Sequence, residues 1–176
     1  SSNIKFSLYD AIAQAASEVD CLGTGSFEVR KDTERLIFLH RGSDKQKREE
    51  WPRNDASPDS GTLFNLMDWI ERHTDGKICA AAHRIVHGGT RSEVAARITP
   101  SLLEELQALV SVAPLHQPLC LAPINYLARE HSNLMQFACF DTAFHHSLDT
   151  LETRFGLPRA MTEEGLRRYG FHGLSY

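Results

Sequence analysis

Met135-Gln136-Phe137-Ala138-Cys139-Phe140-Asp141 is a short apolar run that ends on an acid. Such a run suits an inner strand of a mixed or parallel sheet, covered on both faces. The residues before it supply the covering layers. Leu102, Leu103, Leu106, Leu109 and Val110 form one helical stripe, and Thr99-Pro100 offers it an N-cap and a first-turn proline. A further helix is predicted over Leu119–Arg129, with Pro123 as a bend point. Ile78–Val86 reads as another strand. Leu63, Leu66, Met67 and Ile70 place a helix from Thr62, with Gly76 as its stop.

The beginning of the chain has a different rhythm. Ile4, Phe6 and Leu8 alternate with polar residues, the mark of a half-buried strand. Val19–Val29 is extended, and Leu36-Ile37-Phe38-Leu39 follows the turn-like Lys31-Asp32-Thr33-Glu34, so the two read as a hairpin. Residues 42–60 are polar, contain Pro52 and Pro58, and are expected to form one long surface loop. Strands first, then alternating helices and strands, indicate an α/β layer fold. The chain opens without an initiator Met or any element before its first strand, so its natural N-terminus is expected to be missing.

Composition narrows the function classes. The chain has 176 residues, 41% of them hydrophobic, enough for a real core in one domain or one domain plus part of another. Net charge is −4 and the basic residues are scattered, unlike the basic stripe of a nucleic-acid binder. Lys45, Lys47 and Arg48 are interrupted by Glu49, Glu50 and Asp55, a pattern that reads as a solvated loop. Cys21, Cys79, Cys120 and Cys139 are far apart with no C-x-x-C pair, so reduced, mostly buried thiols are expected. No apolar run approaches the length of a membrane span, and a cytoplasmic protein is expected.

Four segments carry polar groups that packing does not explain. In His83-Arg84-Ile85-Val86-His87-Gly88-Gly89, an arginine follows three alanines at the end of a strand. Its planar fork suits a carboxylate or phosphate, and Gly88-Gly89 would let a ligand approach the backbone; a structural salt bridge to a nearby acid fits the spacing equally well. In Phe140-Asp141-Thr142-Ala143-Phe144-His145, Asp141 stands at the carboxyl end of an inner strand, where open α/β sheets place ligands, or else it caps a helix. Tyr169-Gly170-Phe171-His172-Gly173 sets a histidine between two glycines and beside two aromatics, and Ala113-Pro114-Leu115-His116-Gln117-Pro118 presents one imidazole on a rigid loop. His83 and His87 lie about 13 Å apart on a strand, too far for one zinc. No G-x-S-x-G elbow and no G-x-x-x-x-G-K-[ST] loop occurs, which sets aside a serine hydrolase of that kind and P-loop nucleotide binding.

In this order the segments resemble the acetate kinase family. Its pattern opens with N-x-G-S-S-S-[IL]-K-[FY], of which Ser1-Ser2-Asn3-Ile4-Lys5-Phe6 keeps the latter part. H-R-[VI]-V-H-G-G matches His83–Gly89, A-P-L-H-[NQ]-P matches Ala113–Pro118, F-D-T-A-F-H matches Phe140–His145, and Y-G-F-H-G-x-S matches Tyr169–Ser175. Asn3 departs from the family's usual Ser and Tyr176 from its usual His.

The resemblance implies an actin-like ATPase, ribonuclease-H-like α/β lobe with a mixed sheet flanked by helices. It implies a first lobe over residues 1–143 and the start of a second, nucleotide-binding lobe over 144–176. It further implies reversible phosphoryl transfer from ATP to acetate. Propionate or butyrate as acceptor is the near alternative, and a non-catalytic anion-binding lobe the distant one. Among the residues, Arg84 would hold the carboxylate or phosphoryl group, and Val86, Leu115 and Phe171 would line a methyl pocket. Asp141 would be the acid/base-type carboxylate beside the attacking oxygen, and His172 would stabilise the transferring group with His116 close by. Lys5 would contact nucleotide phosphate. Mg2+ would come with ATP, its ligands lying mostly in the second lobe along with the adenosine site and a second arginine. Family members are about twice this length and are expected to be homodimers, so the 176 residues alone are expected to be inactive.

Overall fold

The computed structural model describes residues 3–11, 19–43, 46–53 and 58–175. Ser1, Ser2 and Tyr176 of the quoted motifs, and Lys45 and Asp55 of the charged cluster, lie outside the described residues. The chain divides into two compact units, residues 1–77 and 78–176. This boundary lies at 77/78, not at the 143/144 division that the resemblance implies between two lobes.

In the first unit, β1 (Asn3–Asp10), β2 (Asp20–Val29), β3 (Thr33–His40) and β4 (Gln46–Pro52) form an antiparallel sheet in chain order, with α1 (Pro58–His73) after it. The alternation of β1 is as the sequence predicts, with Ile4, Phe6 and Leu8 on the more buried side. Their core partners are Phe27, Leu36, Phe38, Leu66 and Trp69. Each such side chain, once buried, contributes roughly 1.5–3 kcal/mol. Glu34 sits in this apolar setting almost wholly buried, its carboxylate accepting from Thr62 and Asn65 of α1.

β4 corrects the expected loop over 42–60. Its residues pair with β3 from Thr33↔Pro52 to Leu39↔Gln46. The run is polar because it is an edge strand, where charge is tolerated and discourages further pairing. Trp51 stacks on Phe27 with ring centroids 5.6 Å apart, and Arg72 of α1 reaches Glu49 at 3.2 Å. Lys47 and Arg48, read as loop residues, belong to this strand.

The second unit holds a three-stranded mixed sheet in the order β5-β7-β6, formed by β5 (Ala80–Ile85), β6 (Ala95–Arg97) and β7 (Met135–Phe140). β7 is the inner strand, parallel to β5 and antiparallel to β6. The helices α2 (Pro100–Ala108) and α3 (Gln117–Glu130) build the core with it. Ile85, Ala138 and Phe140 of the sheet meet Leu102, Leu106, Leu121 and Ile124 of the helices. Thr99 caps α2 as its sequence predicts, its hydroxyl accepting from the Leu102 amide at 3.2 Å with Pro100 following. α3 runs through Pro123. A short helix, α4 (Arg159–Glu163), follows. The cysteines are unpaired, but burial was overestimated: Cys79 is exposed and Cys21, Cys120 and Cys139 are only partly covered.

Candidate active site

The register of β5 and β7 places the central pair. Arg84 lies beside Cys139, and Asp141 follows two residues later on the same face of the sheet. With neighbouring strands about 4.8 Å apart, an arginine and a carboxylate so placed must meet. They do: Arg84 Nε donates to both Asp141 oxygens at 3.1 Å, and Nη2 donates to Oδ2 at 2.6 Å. Asp141 is fully buried, while the Arg84 side chain is 53% exposed. These hydrogen bonds push the guanidinium further above its ordinary pKa. Among the described residues the carboxylate bonds to Arg84 and to no helix amide, and the two readings of Arg84 merge: its ion-pair partner is the other candidate residue.

His172 joins the pair from 88 positions away, its Nδ1 lying 3.1 Å from Arg84 Nη2. A guanidinium nitrogen can only donate, so Nδ1 accepts, and the neutral ring carries its proton on Nε2. The His172 backbone has a left-handed φ of 59°. Among the described residues Arg84 Nη1 has no hydrogen-bond partner. Half-exposed Arg84 thus keeps two N–H groups for an incoming anion, next to a second donor on His172.

Sequence reasoning did not anticipate the frame beneath this cluster. Gln117, the first residue of α3, is fully buried. Its amide donates to the carbonyls of His87 at 3.0 Å and Leu106 at 3.2 Å, and its oxygen accepts from the His87 amide. Thr142 accepts from the Gly88 amide at 3.1 Å. The space left by the absent Gly88 side chain is filled by the Phe140 ring, not held open for a ligand. His87 is fully buried against Tyr169 and Phe171, with ring centroids at 4.5 and 5.6 Å. Its Nδ1 accepts from the Gly89 amide, and burial pushes its pKa down, which leaves Nε2–H buried without a partner among the described residues. Gln117 and Thr142 each stand directly beside a candidate site residue, Gln117 after His116 and Thr142 after Asp141, and burial obliges each to find partners.

The remaining candidates are less gathered. His116 precedes α3, is exposed, and among the described residues makes no hydrogen bond to Arg84, Asp141 or His172. Its helix nonetheless packs beneath the strand that carries Arg84, with Leu121 and Ile124 in the same core as Ile85. Val86 is half-buried, Phe171 39% exposed and Leu115 78% exposed, so this apolar set is open to solvent. Lys5 is exposed on β1 of the first unit. Among the described residues no three His, Cys, Asp or Glu side chains gather where a metal ion could sit.

Comparison with known proteins gives this cluster its family. A model described as the acetokinase family matches residues 1–176. The chain belongs to the acetokinase family. It is 41% identical to an acetate kinase of Rhodopseudomonas palustris strain TIE-1, over 100% of this chain and 44% of that protein. It is 37% identical to an acetate kinase of Methylocella silvestris, over 100% of this chain and 45% of that one. A crystal structure of Porphyromonas gingivalis acetate kinase matches with TM-score 0.78 and 26% identity, over 99% of this chain and 44% of that one. A Francisella tularensis propionate kinase matches with TM-score 0.80 and 24% identity over the same shares. This acetokinase-family chain thus spans less than half the length of these relatives, and its α/β fold is the one expected.

Proposed function

We propose that the whole protein containing this chain moves a phosphoryl group reversibly between ATP and a short-chain carboxylate, acetate first, giving acetyl phosphate and ADP. The observation that carries the reading is the Arg84–Asp141–His172 cluster, with donors left over at Arg84 Nη1 and His172 Nε2. In the forward step a carboxylate oxygen bonds to the γ-phosphorus as the bond to the β–γ bridging oxygen breaks, and ADP leaves. The acceptor is already ionised at neutral pH, so no proton need be removed from it. What the step needs is positioning and neutralisation of charge on the phosphoryl oxygens, which two fixed donors supply.

In this scheme Asp141 keeps the Arg84 fork aimed and its charge in place, beside the attacking oxygen. Val86, Leu115 and Phe171 offer apolar surface to the methyl group, with His116 nearby, and Lys5 meets nucleotide phosphate. Mg2+ would accompany ATP and neutralise phosphate charge; among the described residues no cluster of His, Cys, Asp or Glu suits it. A cytoplasmic homodimer with no nucleic-acid partner completes the proposal, supported by resemblance and by scattered charge. Among the described residues no helix is long and apolar enough to cross a membrane.

Propionate is the second acceptor to weigh, because one solved relative is a propionate kinase. One methylene in an apolar pocket changes selectivity by only about 1–3 kcal/mol. The test is an assay of the purified whole protein with ATP, Mg2+ and each of acetate, propionate and butyrate, trapping acyl phosphate as hydroxamate. Acetate should give the highest kcat/KM. A higher value for propionate would move the specificity, and no acyl phosphate from any of the three would end the proposal.

A further inference from the structure

We propose that His145 is a positioning residue that holds His172 on Arg84; its catalytic consequence rests on the function proposed above. His172 adopts a left-handed backbone, φ 59°, which a non-glycine residue keeps only when its surroundings hold it. It is held from both sides. Downstream, the Gly173 amide donates to the Asp141 carbonyl at 3.0 Å, and the Ser175 amide donates to the His172 carbonyl at 2.9 Å. Upstream, His145 Nε2–H donates to the Phe171 carbonyl at 3.0 Å.

The His145 ring also lies in the space that a residue-170 side chain would occupy. A Cβ placed on Gly170 would come within 2.1 Å of the imidazole. One on Gly173 would come within 2.3 Å of the Asp141 carbonyl oxygen. The glycines flanking His172 are therefore there to let two clamps close, and both clamps sit on one short turn after β7. That turn carries Asp141 at its start and His145 at its end, with the His145 amide bound to the Thr142 carbonyl at 3.2 Å. The partner of Arg84 and the holder of His172 are thus fixed to each other within five residues. His145 touches neither substrate nor Arg84 in this scheme; it acts through the Phe171–His172 backbone.

The test uses the whole protein. His145→Ala should lower kcat between about tenfold and a hundredfold, because His172 Nε2 drifts from the transferring group. The carboxylate KM should stay within about twofold, because Arg84 remains on Asp141. In histidine-labelled protein the His172 ring resonance, assigned through His172→Gln, should shift or broaden in His145→Ala. His145→Gln, which keeps an N–H donor, should recover most of both. Gly170→Ala should lower kcat in the natural background and add little in His145→Ala, since the ring it strikes is gone. Should His145→Ala fail to fold, His145→Phe decides: it keeps the volume, loses the donor, and should move both kcat and the His172 resonance. An unmoved resonance with natural kcat, or fully additive effects of the 145 and 170 changes, would overturn the proposal. If the whole protein phosphorylates no carboxylate, the functional reading falls while the resonance measurements still decide the role of His145.

Discussion

Arg84 gives Nε and Nη2 to one buried carboxylate, shares Nη2 with His172 and leaves Nη1 to the outside, so a change at Asp141 should be felt by the anion that Arg84 holds. Asp141→Asn keeps the volume and removes the charge that aims the fork. We expect kcat to fall by at least about a hundredfold and the carboxylate KM to rise with it while the fold stays intact, read by steady-state kinetics beside a thermal melt. Arg84→Ala should raise the carboxylate KM and lower kcat together, because one fork serves both ground state and transition state. Loss of folding in Asp141→Asn with unchanged kcat per folded molecule would make the pair purely structural.

His83 and His87 carry a second residue-scale expectation. Burial pushes both imidazoles below their ordinary pKa. The folded chain keeps them neutral while the unfolded chain takes up protons once pH falls below about 6.5. Their contribution to stability is whole above that pH and is lost as pH drops toward the folded-state value. Unfolding midpoints of the whole protein should therefore fall from about pH 7 to pH 5.5, with a shallower slope in His83→Gln. Midpoints flat over that range would contradict it.

Among the elements, α2 shows a local signal that survives into the fold. Thr99-Pro100 begins the helix because the hydroxyl satisfies an orphan amide and the proline has no amide to satisfy. Thr99→Ala should cost about 1 kcal/mol in denaturant unfolding and leave kcat unchanged, with Thr99→Ser close to the natural protein. An unchanged midpoint would mean that packing of Leu102 and Leu106 alone sets the helix start. β4 shows the opposite case. Its charged residues have no helical stripe and little alternation, and what makes them a strand is the open edge of β3. α3 depends on both kinds of signal: Pro118 suits its first turn, but Gln117 fixes it by three bonds to backbone groups distant in sequence.

At the scale of the whole molecule, the chain covers 44% of the Rhodopseudomonas relative. Phosphoryl transfer needs acceptor and nucleotide held together, and loss of that proximity removes many orders of magnitude of rate. The 176-residue chain, purified and verified by mass, should give no measurable acetyl phosphate, whereas the whole protein should. Robust turnover by the short chain would show that it holds nucleotide and acceptor unaided.

What the sequence determined by itself is what depends on neighbours within a turn or two. The alternation of β1, the apolar run of β7, the Thr99 cap and the Gly76 stop all belong to that class. The stripe and the run each dictate burial locally, so their elements were legible, and the motifs named the family. Only the tertiary structure decided which side chains meet. Arg84 and Asp141 share a face because parallel pairing sets Arg84 against Cys139, a register invisible along the chain. From local pattern alone a lone Asp141 reads more readily as a helix cap, and it is that pairing that gives its oxygens to Arg84. Gln117, His87 and Thr142 find their partners some thirty to fifty positions away, contacts that no local pattern announces. The physical reason is the same throughout: propensity and capping act over a few residues, whereas pairing and desolvation depend on whatever the fold brings alongside.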